Sequence, residues 1–390
     1  MNSNFLTIYN GAVITRREVI KKGFVKVKAG KIVEVGSGTY RKADLERAID
    51  AKGNYIVPGF IDLHTHGGGG ASVMEAEAQA LDKMAEYKFS QGVTGFLATT
   101  LTASPEKLKE TCQTVADYMK SSTAKANLWG VHLEGPYLNY QQRGAHCQVH
   151  LRTPDLEEFK AWQQILGAKL KLLTLAPELE GAAELIKHAQ EAGVVVAAGH
   201  TAASYRELQQ AIDWGVSQGT HLFNGMAGFH HRQPGPAGAC LNTPGVSVEL
   251  IVDGQHLHWG AVDLVLKAKD LEKIILVTDS ISATGLGDGN YNLGDLEVQV
   301  KSGVARLQSG ALAGSLLTLR EALRNIVAMT KLNLVEAVKL VTLNPARSLG
   351  IASQKGSLSK GKDADLVIFD QDFDIKLTLL EGRVVYNSLF

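Results

Sequence analysis

The sequence predicts an α/β chain: a (β/α)8 TIM-type barrel with a small β-sandwich built from both chain termini. Three observations carry that expectation. Eight compact apolar runs recur at a regular pace between residues 60 and 280. Several segments between them carry apolar residues at three- and four-residue spacing, as amphipathic helices do. Short β-rich stretches with polar or glycine turns stand at both ends of the chain. Continuously apolar strands are those covered on both faces, which favours a parallel sheet flanked by helices. A doubly wound open sheet is the competing layout, because strand count alone does not prove closure.

At the N-terminus, FLTIYNGAVIT, GFVKVKAGKIVEVG and YIVPG read as strands, matched near the C-terminus by ADLVIFD, DIKLTLLEG and RVVYN. Neither set is long enough to bury a sheet alone, so the two are expected to pack as one discontinuous domain, 1–57 plus 351–390. The barrel takes 58–350. Its runs are FIDLHTH, VTGFLATT, LWGVHLEGP, LKLLTLAPE, GVVVAAGHT, GTHLFNGM, VSVELIVDG and KIILVTDS. Between them LEEFKAWQQIL, GAAELIKHAQEAG and YRELQQAIDWG have helical periodicity.

Composition narrows the function classes. Forty Lys plus Arg balance forty Asp plus Glu, which argues against nucleic acid or an anionic membrane as partner. No apolar run approaches the roughly 20 residues that span a bilayer, and the N-terminal stretch lacks the pattern of an export signal. Cys112, Cys147 and Cys240 are scattered and odd in number, as in a reduced, cytoplasmic protein.

The polar residues say more. His64, His66, Glu134, His200, His221, Asp253 and Asp279 all fall at the C-terminal ends of apolar runs, where barrels place catalytic groups. His64 and His66, two apart on a strand, point the same way. A lone carboxylate such as Glu134 is costly to bury without a cation. With His200 and His221 it makes a carboxylate and two imidazoles, a set that binds a catalytic divalent ion and leaves a position for water. Asp279 is placed to take a proton from that water and return one to a leaving group.

Two patterns compete. HGGG at 66–69 and GVSQG at 215–219 have the order of an oxyanion loop and a serine elbow. An elbow needs a strand before its serine and a helix after it, whereas Ser217 follows a helical pattern and precedes the expected strand GTHLF. GLGDG at 285–289 opens no clear helix and makes a poor dinucleotide fingerprint.

In order along the chain, PGFIDLHTHG, GVHLEGPYL, GAH at 144–146, AGHTAA, GTHLFNGM, DGQHLH, LVTDS, ALAGS and NPAR resemble the N-acetylglucosamine-6-phosphate deacetylase family of the amidohydrolase superfamily. The resemblance spans nearly the whole chain. It implies metal-dependent hydrolysis of the acetamide of a phosphorylated N-acetyl amino sugar, to acetate and glucosamine 6-phosphate, in amino-sugar catabolism and cell-wall sugar recycling. It also implies a homodimer. Position by position, Glu134, His200 and His221 match metal ligands, Asp279 the acid/base, and His146 a histidine near the reacting amide. Ala145, Asn224, Gly225, Arg232 and His256 match sugar-phosphate positions, Arg232 reaching the neighbouring active site, and Leu312, Ala313 and Gly314 match a loop over the sugar. Where relatives keep His-x-His they can hold two ions, so His64 and His66 offer a second site with Glu134 bridging. The metal expected is zinc, with iron as the other candidate.

Gly225 stands where many relatives have alanine, an exchange expected to matter little. His230 and His231 receive no role, and His258 is read as structural. A cyclic-amidase alternative needs a modified lysine at the end of the fourth barrel strand, whereas Lys171 lies at its beginning. A non-catalytic barrel is expected to have lost ligands, and none is missing. The sequence does not distinguish a gluco from a galacto substrate.

Overall fold

The computed structural model describes residues 5–38, 40 and 47–389. The first four residues of the stretch read for an export signal lie outside the described residues. By contact density the chain divides into one unit of 1–62, 86–95 and 319–390, and a second of 63–85 and 96–318.

In the first unit, β1 (Leu6–Ile14), β2 (Val19–Lys28), β3 (Lys31–Ser37), β4 (Arg47–Asp50) and β5 (Tyr55–Pro58) join three strands from the far end of the chain. These are β19 (Leu366–Phe369), β20 (Ile375–Leu380) and β21 (Arg383–Asn387). One sheet runs β21-β20-β19-β5-β1-β2-β3, with β4 pairing β1. Its strands meet as the composition of both termini requires: Ile8, Val13, Val25 and Ile56 share one apolar cluster with Leu366, Ile368, Leu377 and Leu379. The junction is antiparallel, Val57 opposite Val367 and Ile56 opposite Ile368.

The second sheet contains β6 (Phe60–Asp62), β9 (Val93–Thr99), β10 (Leu128–Glu134), β11 (Leu170–Leu175), β12 (Val195–Ala198), β13 (Val216–Gly219), β14 (Ser247–Leu250) and β15 (Ile274–Leu276). They neighbour one another in chain order, and the pairs from β9 to β15 are parallel. Just beyond the strands at its two edges, Thr65 bridges Ser280 in parallel and the Asp279 N–H donates to the His64 carbonyl at 2.9 Å. The last strand therefore meets the first, an arrangement consistent with a barrel rather than the open sheet that competed with it.

Helices form between the strands where the spacing placed them, at Leu156–Leu166, Ala182–Glu191 and Tyr205–Trp214. The last has a capping box. The Ser204 hydroxyl accepts from the Glu207 N–H, and the Glu207 carboxylate accepts from the Ser204 N–H. Leu208 and Ala211 then face inward, and Gly215 ends the helix at φ 131°.

One strand differs from expectation. The sixth barrel strand is Val216–Gly219, not the apolar GTHLFNGM, so Ser217 lies on a strand and His221 two residues beyond it. A helix still precedes Ser217 instead of following it, so the elbow geometry is absent. The HGGG stretch contributes β7 (Gly67–Gly68) of a short hairpin with β8 (Ala71–Ser72). GLGDG runs into β16 (Gly289–Leu293), which with β17 (Leu296–Lys301) and β18 (Val304–Leu307) makes an antiparallel sheet beyond the expected strands. Among the described residues no helix is long and apolar enough to cross a membrane.

Candidate active site

Strand ends supply the donors. Glu134 is the last residue of β10, His200 and His221 follow β12 and β13, and Asp279 follows β15. His200, His221 and Asp279 have φ of 48°, 28° and 50°, a region side-chain-bearing residues rarely adopt. Such strain persists only where surrounding structure holds it, and it clusters at functional sites.

Two donor groups share Glu134. On one side its Oε1 lies 3.2 Å from the Nε2 of both His200 and His221, and these two nitrogens are 3.1 Å apart. Each ring turns Nδ1 to a backbone carbonyl, His200 to Gln142 at 2.8 Å and His221 to Asn224 at 3.1 Å. A carbonyl only accepts, so Nδ1 carries the proton and each Nε2 presents a lone pair. In the neutral rings, two lone pairs and a carboxylate oxygen then converge, an arrangement that a cation stabilises.

On the other side, Glu134 Oε2 lies 3.1 Å from His66 Nε2 and 3.3 Å from His64 Nε2, and Asp279 Oδ1 lies 3.1 and 3.4 Å from the same atoms. His64 Nε2 is buried without a hydrogen-bond partner. Burial opposes an imidazolium at His64, yet the Glu134 and Asp279 carboxylates outweigh it and raise its pKa well above the ordinary histidine value. Burial likewise opposes the Glu134 and Asp279 carboxylates, but the His64 charge beside them holds both well below the usual range. Both sides call for positive charge, and the N/O donors fit a divalent cation.

His146 is 5 % exposed, and its Nε2 lies 3.5 Å from Glu134 Oε2. The Thr102 N–H donates to its Nδ1 at 3.3 Å, which leaves the ring proton on Nε2. Burial, and next the neighbouring His200, push its pKa down to about 4, so at neutral pH it is a neutral donor aimed at the donor cluster.

These groups border a cavity of about 240 Å³ lined by His66, Glu134, His146, His200, His221 and Asp279. Ala145, Asn224, Gly225, His256, Leu312 and Gly314 also line it, as do Leu101, Leu293 and Ala311, apolar positions that carry no chemical signal in sequence. His64 and Ala313 are fully buried behind the wall. Asp253 orients His256, its Oδ2 being 2.7 Å from Nδ1. Arg232 is exposed and is not among the lining residues.

Gly225 is less interchangeable than expected. Its φ is 56°, and a Cβ there would lie 2.8 Å from His200 Nδ1, displacing a candidate ligand. His258 caps the helix Trp259–Ala268 by accepting from the Gly260 N–H. Lys171 is the second residue of β11, at the opposite end of the strand from the cluster. Cys147, His150 and Asp295 gather nearer the surface, where His150 and Asp295 already meet at 3.0 Å.

Residues 55–385 match the amidohydrolase family model. The chain belongs to the amidohydrolase family. This amidohydrolase is 38 % identical over 386 residues to the N-acetylglucosamine-6-phosphate deacetylase of Bacillus subtilis (strain 168), covering 98 % of each chain. It is 37 % identical to the N-acetylgalactosamine-6-phosphate deacetylase of Escherichia coli O157:H7, over 84 % of this chain and 87 % of that one. Among solved structures, a mutant N-acetyl-D-glucosamine-6-phosphate deacetylase from Mycobacterium smegmatis in complex with N-acetyl-D-glucosamine-6-phosphate superposes with a TM-score of 0.91. The identity is 34 %, covering 98 % of this chain and 99 % of that one.

Proposed function

We propose that this chain hydrolyses the acetamide of N-acetylglucosamine 6-phosphate, releasing acetate and glucosamine 6-phosphate. The observation that carries the reading is the convergence of Glu134, His200 and His221 on one point, lone pairs inward, at the wall of a cavity that His146 and Asp279 share. We read the parallel sheet as a (β/α)8 barrel of 58–350, and the strands of 1–57 and 351–390 as a small β-sandwich appended to it.

Glu134, His200 and His221 would hold one divalent ion, and His64, His66 and Asp279 a second, with Glu134 between them. Zinc suits this donor set best, and iron is the alternative. When bound, such an ion supplies Lewis acidity toward a carbonyl oxygen and lowers the pKa of water toward neutrality.

The chain's own residues do the rest. Asp279, held ionised, accepts the proton of the attacking water as its oxygen bonds to the acetamide carbon. His146 donates its Nε2–H to the oxyanion that develops, the interaction expected to contribute most to the rate. As the C–N bond breaks, Asp279 returns the proton to the departing amine. Asn224, the Gly225 N–H and His256 hold the sugar phosphate, with Ala145 beside His146, and Leu312 to Gly314 close over the ring. Arg232 completes the phosphate site of a neighbouring subunit in a homodimer, through the paired hydrogen bonds a guanidinium makes to phosphate. Its exposure and its absence from this cavity's wall support that assignment. A cytoplasmic location accords with a phosphorylated substrate.

Acetate release from the 6-phosphates of N-acetylglucosamine and N-acetylgalactosamine tests the reading. Turnover of the gluco compound in preference to its epimer is expected. Turnover of the galacto compound alone, or of neither, overturns it.

A further inference from the structure

Glu249 is fully buried in β14, 115 positions beyond the carboxylate with which it shares two partners. Among the described residues its only ring partner is His64, which also faces Glu134. What satisfies it is a set of donors. Its Oε2 lies 3.1 Å from His64 Nδ1 and accepts the His221 backbone N–H at 3.2 Å. Its Oε1 accepts the side-chain amide of Gln218, itself buried on β13, at 2.6 Å. Its backbone carbonyl accepts the Leu222 N–H at 2.8 Å.

Two of these contacts have a consequence at the site. A carboxylate oxygen accepts from His64 Nδ1–H, and in the neutral ring that a bound cation requires, this contact selects the tautomer whose Nε2 lone pair is free to ligate. That is the atom buried without a partner between Glu134 and Asp279. The same oxygen holds the main chain of His221 at its unfavourable φ of 28°. One carboxylate thus reaches a ring in the second donor group and a backbone in the first. Outer partners that orient a ligating imidazole and raise its basicity commonly change metal affinity by 10–100-fold when removed.

We propose that Glu249 is a positioning residue that makes the His64–His66–Asp279 side able to take a second divalent ion, by fixing the ring and tautomer of His64. The proposal rests on the reading of His64 as a ligand given above. The first ion depends on Glu249 far less, because His221 keeps its ring orientation through Asn224 and His200 through Gln142.

The test is titration of the ion-free full-length protein with Zn²⁺, resolving the two binding steps, in wild type, Glu249→Gln and Glu249→Leu. Thermal midpoints are taken alongside to confirm folding. Gln keeps an oxygen for His64 and His221 but loses the charge, whereas Leu keeps neither. The expected result is graded: the second step weakened about 10-fold by Gln and about 100-fold by Leu, the first changed by less than about threefold in both. A residue that merely filled space would give no such order. Folded variants that take both ions with wild-type affinity overturn the proposal while leaving the two-ion reading intact. If Leu does not fold, an unchanged second step in Gln overturns it alone. A wild-type protein with only one binding step defeats the reading of His64 as a ligand, and the proposal with it.

Discussion

Asp279 sits at an unfavourable φ, within 3.4 Å of two imidazoles, and its carboxylate is held ionised. A base in that state is ready at neutral pH, whereas its amide counterpart has no proton affinity to offer. Asp279→Asn should therefore keep the fold and at least one ion while turnover drops by about 10²–10⁴-fold. Steady-state acetate release with parallel metal analysis decides this, and near wild-type turnover with unchanged metal removes Asp279 from the chemistry. Asp279, Glu134 and the four histidines of the two donor groups stand out in the sequence for one physical reason: each interrupts or closes an apolar run, where no packing argument accounts for it. Glu249 obeys the same logic, an acid inside VSVELIV, but it sits mid-run, away from the ends where barrels place catalytic groups. Its signal was the cost of burying a carboxylate between apolar neighbours.

Single elements can be judged by how they tolerate buried charge. Asp62, the last residue of β6, pairs with Lys88 at 2.9 Å, both within the first unit and both buried. Burial lowers the pKa of Lys88 despite the Asp62 charge beside it. Removing the Asp62 carboxylate takes its ion-pair charge from Lys88 in a medium that solvates charge poorly, so Asp62→Ala should cost about 3–5 kcal/mol. Asp62→Leu combined with Lys88→Met should cost less than either single change. Denaturant unfolding of Asp62→Leu, Lys88→Met and their combination measures this, and a double variant less stable than both singles contradicts it. Elements also show where sequence patterning fell short. Val216–Gly219 is short and contains Ser217 and Gln218, so the more apolar residues after it drew the expected strand downstream. The β16–β18 sheet does alternate, with Val298 and Val300 buried and Glu297 and Gln299 exposed, a period-two pattern that lay in the sequence.

For the whole molecule, the order of neighbours in the parallel sheet brings residues from position 64 to position 279 to one rim. The eightfold count of apolar runs was legible, but closure was not, because it depends on the Thr65–Ser280 bridge between ends more than two hundred residues apart. Likewise Leu101, Leu293 and Ala311 shape the cavity without any chemical mark in the sequence. This rim is expected to gather its donors around a divalent ion. X-ray diffraction from crystals of the purified protein, recorded on both sides of the zinc and iron absorption edges, tests it most directly. An anomalous peak is expected about 2.0–2.2 Å from Glu134, His200 Nε2 and His221 Nε2. No peak there after metal loading, or imidazoles turned away onto separate partners, would contradict it.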